Sequence, residues 1–240
     1  MNKHENHNNH QNHKNHNDDG TNAPLDQDDT ICLETSGCST ELIPDGGNWP
    51  DDLPALGAVM LNAADRAIAA ARAAQATNSH APLAKAVPHI NILLSSNENI
   101  ARLNLEFRGK DQPTNVLSFP VGDDSAFGPA ADEMIGDIVL GHETIVAEAK
   151  SQGLDFEHHI AHLIVHGTLH LLGYDHQDDG EAVEMEKLET QILSTMNIAN
   201  PYAADLVDPV DPEDPKVDQA SQTHHMQEIH KPHKQQSGEG

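Results

Sequence analysis

The sequence predicts one domain of α+β or α/β class, in which helices surround a small sheet. Three short apolar runs have the length of buried strands, and longer segments with helical spacing lie between and after them. About 150 residues in the middle of the 240-residue chain are rich in Ala, Leu, Ile and Val, which is enough for one hydrophobic core. Because only 3% of the residues are aromatic, that core is expected to be aliphatic.

Both ends of the chain are predicted to be disordered tails, at 1–48 and 201–240, with the domain at 49–200. Neither end has the apolar runs that a core requires. Histidines recur at every third position near the start of the chain, and four more histidines lie near its other end, so metal buffering is one hypothesis, although a simple polar arm is favoured. Cys32 and Cys38 are expected to be unpaired thiols on the N-terminal tail, since no disulfide framework accompanies them.

The domain is predicted to begin with a long helix and a buried strand. Asp51, Asp52 and Pro54 are typical of a helix start, and the Ala-rich sequence after them predicts a helix to about Gln75. The apolar run HINILLSS, residues 89–96, predicts a buried strand.

A second helix and two further strands are predicted next. Asn97 is expected to cap a helix that continues through Phe107, and Gly109 is expected to end it in the left-handed conformation. The turn-prone sequence KDQPT leads to a strand at 116–120, and a loop of Gly, Asp and Pro leads to another at 135–140. Three helices complete the domain, at about 142–152, 155–172 and 179–197.

The sequence HLIVHGTLHLLGYDHQ, residues 162–177, predicts a metal site. His166 and His170 are four residues apart in a helical context, so both imidazoles project from one face of the helix. Gly173 can end that helix with a positive φ and let the chain fold back to present His176. Three neutral imidazoles with a fourth position left for water are the usual ligands of catalytic zinc, so one Zn²⁺ per chain is expected.

The spacing HxxxHxxGxxH also occurs in metzincin peptidases, which place a glutamate directly after the first histidine as general base. Here that position is Gly167, which cannot accept a proton, so a peptidase is the less favoured alternative. Zinc chemistry does not require this glutamate, because the ion itself lowers the pKa of water. His158 and His162 continue the row and are expected to support the ligands or to be solvated, whereas His142 and His159 are expected at the surface.

A second group of candidate residues lies in and after FRGKDQPTNVLSFP, residues 107–120. Arg108 stands where a helix ends and a glycine turn begins, and its guanidinium suits bidentate contact with a phosphate. An exposed ion pair with Asp111 or Glu106 explains this arginine equally well. Asp137 lies in an apolar strand, where a carboxylate has to be paired or has to orient a histidine or a water molecule.

With both groups in view, the chain resembles the YbeY family of bacterial endoribonucleases over about residues 88–197. The resemblance rests on FRGKDQPTNVLSFP, on GDIVL at 136–140 and on HGTLHLLGYDH at 166–176. It implies a small, mostly parallel mixed sheet flanked by helices, with the zinc-binding helix buried at one side. Both tails lie outside the family pattern.

The resemblance also implies which residues carry the chemistry. It implies that His166, His170 and His176 bind zinc, that Arg108 is essential to activity and that Asp137 lies by the site. The candidate catalytic residues are therefore Arg108, Asp137 and His166. The expected mechanism is metal-assisted phosphodiester cleavage in which Arg108 neutralises charge on the phosphate, with either water or the ribose 2′-OH as nucleophile.

The activity that the resemblance implies is cleavage of single-stranded RNA, in maturation of rRNA at the small-subunit 3′ end and in ribosome quality control. A non-catalytic, zinc-containing ribosome-assembly factor is the alternative. The expected partners are rRNA and ribosomal particles or proteins, with neither DNA nor membrane. No secretory signal or membrane span is found in the sequence, so the cytoplasm is the expected location.

The net charge of −26 works against loose binding to RNA. Either a local group of cations around Arg102, Arg108 and Lys110 overcomes this charge, or ribosomal proteins supply the positive field. We favour the second explanation. The few aromatic residues also argue against a platform on which bases would stack.

Overall fold

The computed structural model describes residues 30–75, 87–121, 134–176 and 178–203. These residues form five strands and five helices. The strands are β1 (Ile31–Glu34), β2 (Ser39–Asp45), β3 (His89–Ser95), β4 (Val116–Pro120) and β5 (Met134–Gly141). The helices are α1 (Leu53–Gln75), α2 (Asn97–Arg108), α3 (His142–Gln152), α4 (Phe156–Leu171) and α5 (Asp179–Thr195).

The five strands make one mixed sheet in the order β1-β2-β3-β5-β4. The three central strands β2, β3 and β5 run parallel, and the edge strands β1 and β4 are antiparallel to their neighbours. The predicted mixed α/β class and the mostly parallel sheet are therefore confirmed. Strand β4 is an edge of this sheet.

The helices and the last three strands follow their predicted bounds to within about two residues. Gly109 ends α2 with φ of 70°, as expected for a left-handed C-terminal cap. The predicted N-terminal cap of α2 is wrong by one residue, because the Ser96 hydroxyl accepts from the amide of Asn99. Asn97 instead joins two helices, since its side-chain oxygen accepts from the amide and the hydroxyl of Thr144.

The predicted domain boundary at residue 49 assigns residues 31–34 and 39–45 to a disordered tail. In the structure these residues instead form strands β1 and β2 of the sheet. Strand β2 pairs with β3 along its whole length, from Ser39 with His89 to Asp45 with Ser95. The segment alternates with period two, because Thr40 and Leu42 are buried while their neighbours are less so. The alternation covers few residues, so the mean hydropathy of this part of the sequence is dominated by the polar residues before it. Residues 1–29 and 204–240 lie outside the described residues.

The two faces of the sheet carry separate helices and separate apolar clusters. The larger cluster joins one face to α1, α4 and α5, and the smaller cluster joins the other face to α2. Helix α4 is enclosed, since every residue from His159 to Leu171 is buried. Alternation assigns the strand residues to the faces: Ile138 and Leu140 belong to the larger cluster, and Val139 belongs to the smaller one.

The two cysteines lie in β1 and directly before β2. Cys32 is exposed and Cys38 is buried, and neither forms a disulfide. Burial raises the pKa of Cys38 to about 12, so its thiol stays protonated. Among the described residues, no helix combines the length and the apolar composition that crossing a bilayer requires.

Candidate metal centre

Helix α4 and the turn after it position the three predicted metal ligands. The Asp155 side chain caps the start of the helix by accepting from the amide of His158. At the other end, Gly173 has φ of 86° and its amide donates to the carbonyl of His170. This left-handed turn reverses the chain, as predicted, and brings His176 back to the helix.

The imidazoles of His166, His170 and His176 converge. One nitrogen of each ring lies within 4.8 Å of the corresponding nitrogen of the other two. The Nε2 atoms of His166 and His170 are 2.9 Å apart. The ring centroid of His176 lies 5.6 Å from that of His166 and 5.0 Å from that of His170. The structure therefore brings the predicted ligands together, and the group can hold a metal ion.

Hydrogen bonds on the far side of two rings decide which nitrogen faces this point. His170 Nδ1 is 2.8 Å from the carbonyl oxygen of Tyr174, which can only accept, so Nδ1 carries the proton. His166 Nδ1 donates in the same way to Glu189 Oε1, at 2.8 Å. Both Nε2 atoms consequently present lone pairs at 2.9 Å from each other, an arrangement that a bound cation would stabilise. The donor set therefore fits a divalent metal ion of zinc type.

Glu189 supports the ligands from α5 and was not identified from the sequence. Its carboxylate is fully buried and accepts from His166, from His162 Nε2 at 3.2 Å, and from the hydroxyl of Tyr202. Burial alone would raise the pKa of Glu189, but attraction to and hydrogen bonds from His166 and His162 hold that pKa well below its usual range. The carboxylate is therefore ionised at neutral pH.

Burial favours the neutral form of His166, which is the form that binds a metal ion. It lowers the pKa of His166 from 6.5 to about 4, against the opposing pull of Glu189. The ring is consequently neutral at pH 7, which is the protonation state that binds a metal ion.

The lowered pKa predicts that the metal-free protein loses stability as the pH falls from 6.5 to 4. In that range the unfolded chain binds a proton at His166 and the folded chain does not, so the free energy of unfolding decreases by about 3 kcal/mol at most. Below about 4.5, protonation of Glu189 in the unfolded chain continues the decrease. Urea unfolding at several pH values measures this. The His158→Ala protein, which lacks an exposed histidine of the same helix, should show the same loss, and a constant free energy from pH 7 to 4.5 would contradict the prediction.

Helix α4 packs closely against the sheet at Gly167. A Cβ at this position would lie 2.9 Å from Ser118 Oγ and 3.1 Å from Ile138 Cδ1. The position that bears the general base in metzincin peptidases therefore faces the sheet and has no room for a glutamate side chain.

We predict that Gly167→Leu lowers the free energy of unfolding by about 1–3 kcal/mol, because the added side chain overpacks the contact with the sheet. Thermal or urea unfolding measures the change. The matched control is His158→Leu, which places the same side chain at an exposed position of α4 and is expected to change stability by less than about 0.5 kcal/mol. Equal stability of the two variants would mean that the contact is not tight.

Arg108 is the half-buried last residue of α2. The ring of its neighbour Phe107 packs at 5.0 Å, edge to face, against Phe119 of the edge strand β4. The preceding residue of that strand, Ser118, contacts Gly167 on the other face. The end of α2 and the metal-binding helix thus lie on opposite sides of one edge strand.

Asp137 is buried, as predicted, but the structure does not bring it to the three histidines. Its Oδ1 accepts from Asn91 Nδ2 at 2.8 Å, and its cross-strand neighbour is Phe119. Alternation along β5 places it on the same face as Val139, which is the α2 face, whereas α4 packs on the opposite face. Asp137 therefore belongs to the same side of the sheet as the end of α2.

Of the other four histidines considered in the sequence, two lie as expected and two do not. His158 is exposed, and His162 is buried with its Nε2 on Glu189, so it supports a ligand instead of joining the three. The expectation that His142 and His159 lie at the surface is wrong, since they are only 9% and 7% exposed. His159 Nε2 contacts a Glu148 oxygen at 2.9 Å, and His142 packs edge to face against Phe156 at the start of α4.

One signal in the sequence could have identified Glu189. It lies on the apolar stripe of α5, four residues after Met185 and three before Ile192, both of which are buried. A carboxylate on such a stripe has to have partners. No comparable signal exists for Tyr202, which follows α5.

Fold and site together define a mixed α/β protein whose most enclosed helix supplies a three-histidine centre that can hold a metal ion. The chain matches the family described as Endoribonuclease YbeY over residues 59–197, more than half its length. The chain belongs to this family.

Individual relatives agree. An endoribonuclease YbeY of Chelativorans sp. (strain BNC1) is 44% identical over 157 residues, 65% of this chain and 88% of the relative. One from Paramagnetospirillum magneticum is 50% identical over 118 residues, 48% of this chain and 72% of the relative. One from Bartonella bacilliformis is 47% identical over 127 residues, 53% of this chain and 80% of the relative.

Proposed function

We propose that this chain is a zinc-dependent endoribonuclease that cleaves single-stranded RNA in rRNA maturation, notably at the small-subunit 3′ end, and in ribosome quality control. The observation that carries the proposal is the convergence of His166, His170 and His176 in a chain of the endoribonuclease YbeY family. One zinc ion per chain is proposed, because three neutral imidazoles leave a fourth position open.

Zinc in this centre would supply a Lewis acid for the phosphate and lower the pKa of a water molecule. The protein's own part is to hold the three rings in place. Glu189 and the Tyr174 carbonyl fix the tautomers of His166 and His170, so that neither ring has to reorient to bind the ion. Gly167 offers no proton acceptor, so the base has to come from the metal-activated water or from another group.

Arg108 is proposed to bind the scissile phosphate and to neutralise its developing charge. Its position at the end of α2 supports this role, because Phe107 and Gly167 contact consecutive residues of β4, Phe119 and Ser118, from opposite faces. An RNA strand is proposed to follow this edge of the sheet and to contact both the arginine and the metal centre. Asp137 lies on the α2 face of the sheet, so it is proposed to act on the same side of β4 as Arg108. RNA cleavage by the Asp137→Asn protein tests this role.

We predict that Arg108→Ala lowers kcat for RNA cleavage about 100-fold or more. Enzymes usually lose this much activity when one hydrogen-bond donor that stabilises transition-state charge is removed. Arg108→Lys should recover only part of it, because the ammonium cannot make the bidentate contact. Lys150→Ala removes the same charge from an exposed position of α3 and serves as the control. If the Lys150 and Arg108 variants lose equal activity, net charge and not phosphate binding explains the effect.

The partners proposed are rRNA and ribosomal particles, encountered in the cytoplasm. The net charge of −26 remains unfavourable for RNA alone, so ribosomal proteins are proposed to supply the positive field. Added salt should therefore weaken cleavage within ribosomal particles more than cleavage of isolated RNA, because it screens the attraction between the acidic chain and the ribosomal proteins.

The proposal is tested with the purified full-length protein, with and without chelator and added zinc. Single-stranded RNA should be cut, duplex RNA and single-stranded DNA should not, and chelator should stop the reaction. A 2′,3′-cyclic phosphate on the product identifies the ribose hydroxyl as nucleophile, and its absence favours water. Zinc-loaded protein that binds ribosomal particles yet cuts no RNA would identify an assembly factor, and digestion of casein would identify a peptidase.

A further inference from the structure

The C-terminal turn of the domain reaches back to the metal centre. Residues 201–203 follow α5 and lie beyond the residues that match the family. The hydroxyl of Tyr202 donates to Glu189 Oε2, and its ring packs edge to face on His162 at 6.0 Å. A residue outside the matched segment thus contacts the group that orients a metal ligand.

The contacts divide the two oxygens of Glu189 between different partners. Oε2 accepts from Tyr202 and from His162 Nε2 at 3.2 Å, and Oε1 accepts from His166 Nδ1 at 2.8 Å. Two donors on Oε2 fix the rotation of the carboxylate, which leaves Oε1 directed at His166. Because the carboxylate is fully buried, no solvent can replace a donor that is removed.

Tyr202 is itself held by α5. Its amide donates to Asn200 Oδ1 at 2.9 Å, and the hydroxyl of Thr190 donates to the same oxygen at 3.2 Å. Thr190 is the next residue after Glu189. The turn is therefore anchored beside the carboxylate that its tyrosine contacts.

We propose that Tyr202 is a positioning residue of the metal centre, whose hydroxyl holds Glu189 in the orientation that keeps Nε2 of His166 directed at the ion. This inference rests on the proposed function, since it concerns the same metal ion. The turn after α5 therefore contributes to metal retention.

The test follows zinc release from the full-length protein to a chromophoric chelator. The zinc that wild-type protein holds and His166→Ala protein lacks is the zinc to follow, because zinc bound anywhere else in the chain is common to both proteins and is subtracted. Tyr202→Phe keeps the ring and removes only the hydroxyl, and it is expected to release this zinc about tenfold faster. Ser194→Ala removes an exposed hydroxyl that donates to the carbonyl of Gln191 in the same helix, and it should match the wild type.

Two further measurements separate positioning from general stability. The visible spectrum of the cobalt-loaded protein should change in Tyr202→Phe, and Asn200→Ala should accelerate release in the same direction but less. Unchanged zinc release and an unchanged cobalt spectrum in Tyr202→Phe would overturn the inference while leaving the proposed function intact. Wild-type protein that holds no more zinc than His166→Ala would overturn both.

Discussion

His166→Ala is expected to abolish RNA cleavage and to remove the zinc ion of the domain. His166 is one of three converging ligands and the one that Glu189 orients directly. Two remaining imidazoles cannot retain the ion at micromolar concentration, so activity should fall to the level without enzyme. Metal analysis and cleavage of single-stranded RNA by the same preparation measure both effects.

The control for this variant is His158→Ala, which removes an exposed histidine from the same helix. It should keep both zinc and activity. Equal cleavage by rigorously purified His166→Ala and wild-type protein would show that a contaminating nuclease had been measured.

Glu189→Gln is expected to weaken zinc binding about 10- to 100-fold, the usual effect of losing the carboxylate behind a histidine ligand. The amide keeps the size of the side chain but turns one acceptor into a donor, while His166, His162 and Tyr202 all donate to this position. One buried donor is consequently left unpaired, and the free energy of unfolding of the metal-free protein should fall by about 1–3 kcal/mol.

Competition with a chelator and urea unfolding measure the two effects of Glu189→Gln separately. Glu186→Gln makes the same change at an exposed position of α5 and should alter neither quantity. Wild-type zinc affinity in Glu189→Gln would mean that His166 binds the metal ion without its carboxylate partner.

The elements that the sequence predicted correctly are those with a strong local pattern. The run at 89–96 and the helix from His142 need no distant information, and Gly109 and Gly173 mark helix ends through their own conformational freedom. The convergence of the three histidines was predictable for the same reason, because helix geometry and one turn relate residues within eleven positions.

What the sequence did not predict depends on contacts between distant segments. Strands β1 and β2 are short, and they join the sheet only because β2 pairs with β3, which lies some 50 residues away, while β1 pairs with β2. The face of Asp137 depends on the register of β5, which shifts beside β3 near Ile90. Tyr202 meets Glu189 only because the chain reverses after α5.

The close contact of Gly167 with the sheet also restricts how this helix could evolve. A single codon change to glutamate would place a charged side chain against Ser118 and Ile138, where no space exists for it. Peptide hydrolysis by the metzincin route would first require smaller residues in two strands, with loss of buried methyl groups before any gain in activity. Descendants of this protein therefore have to recruit a base from another segment of the chain.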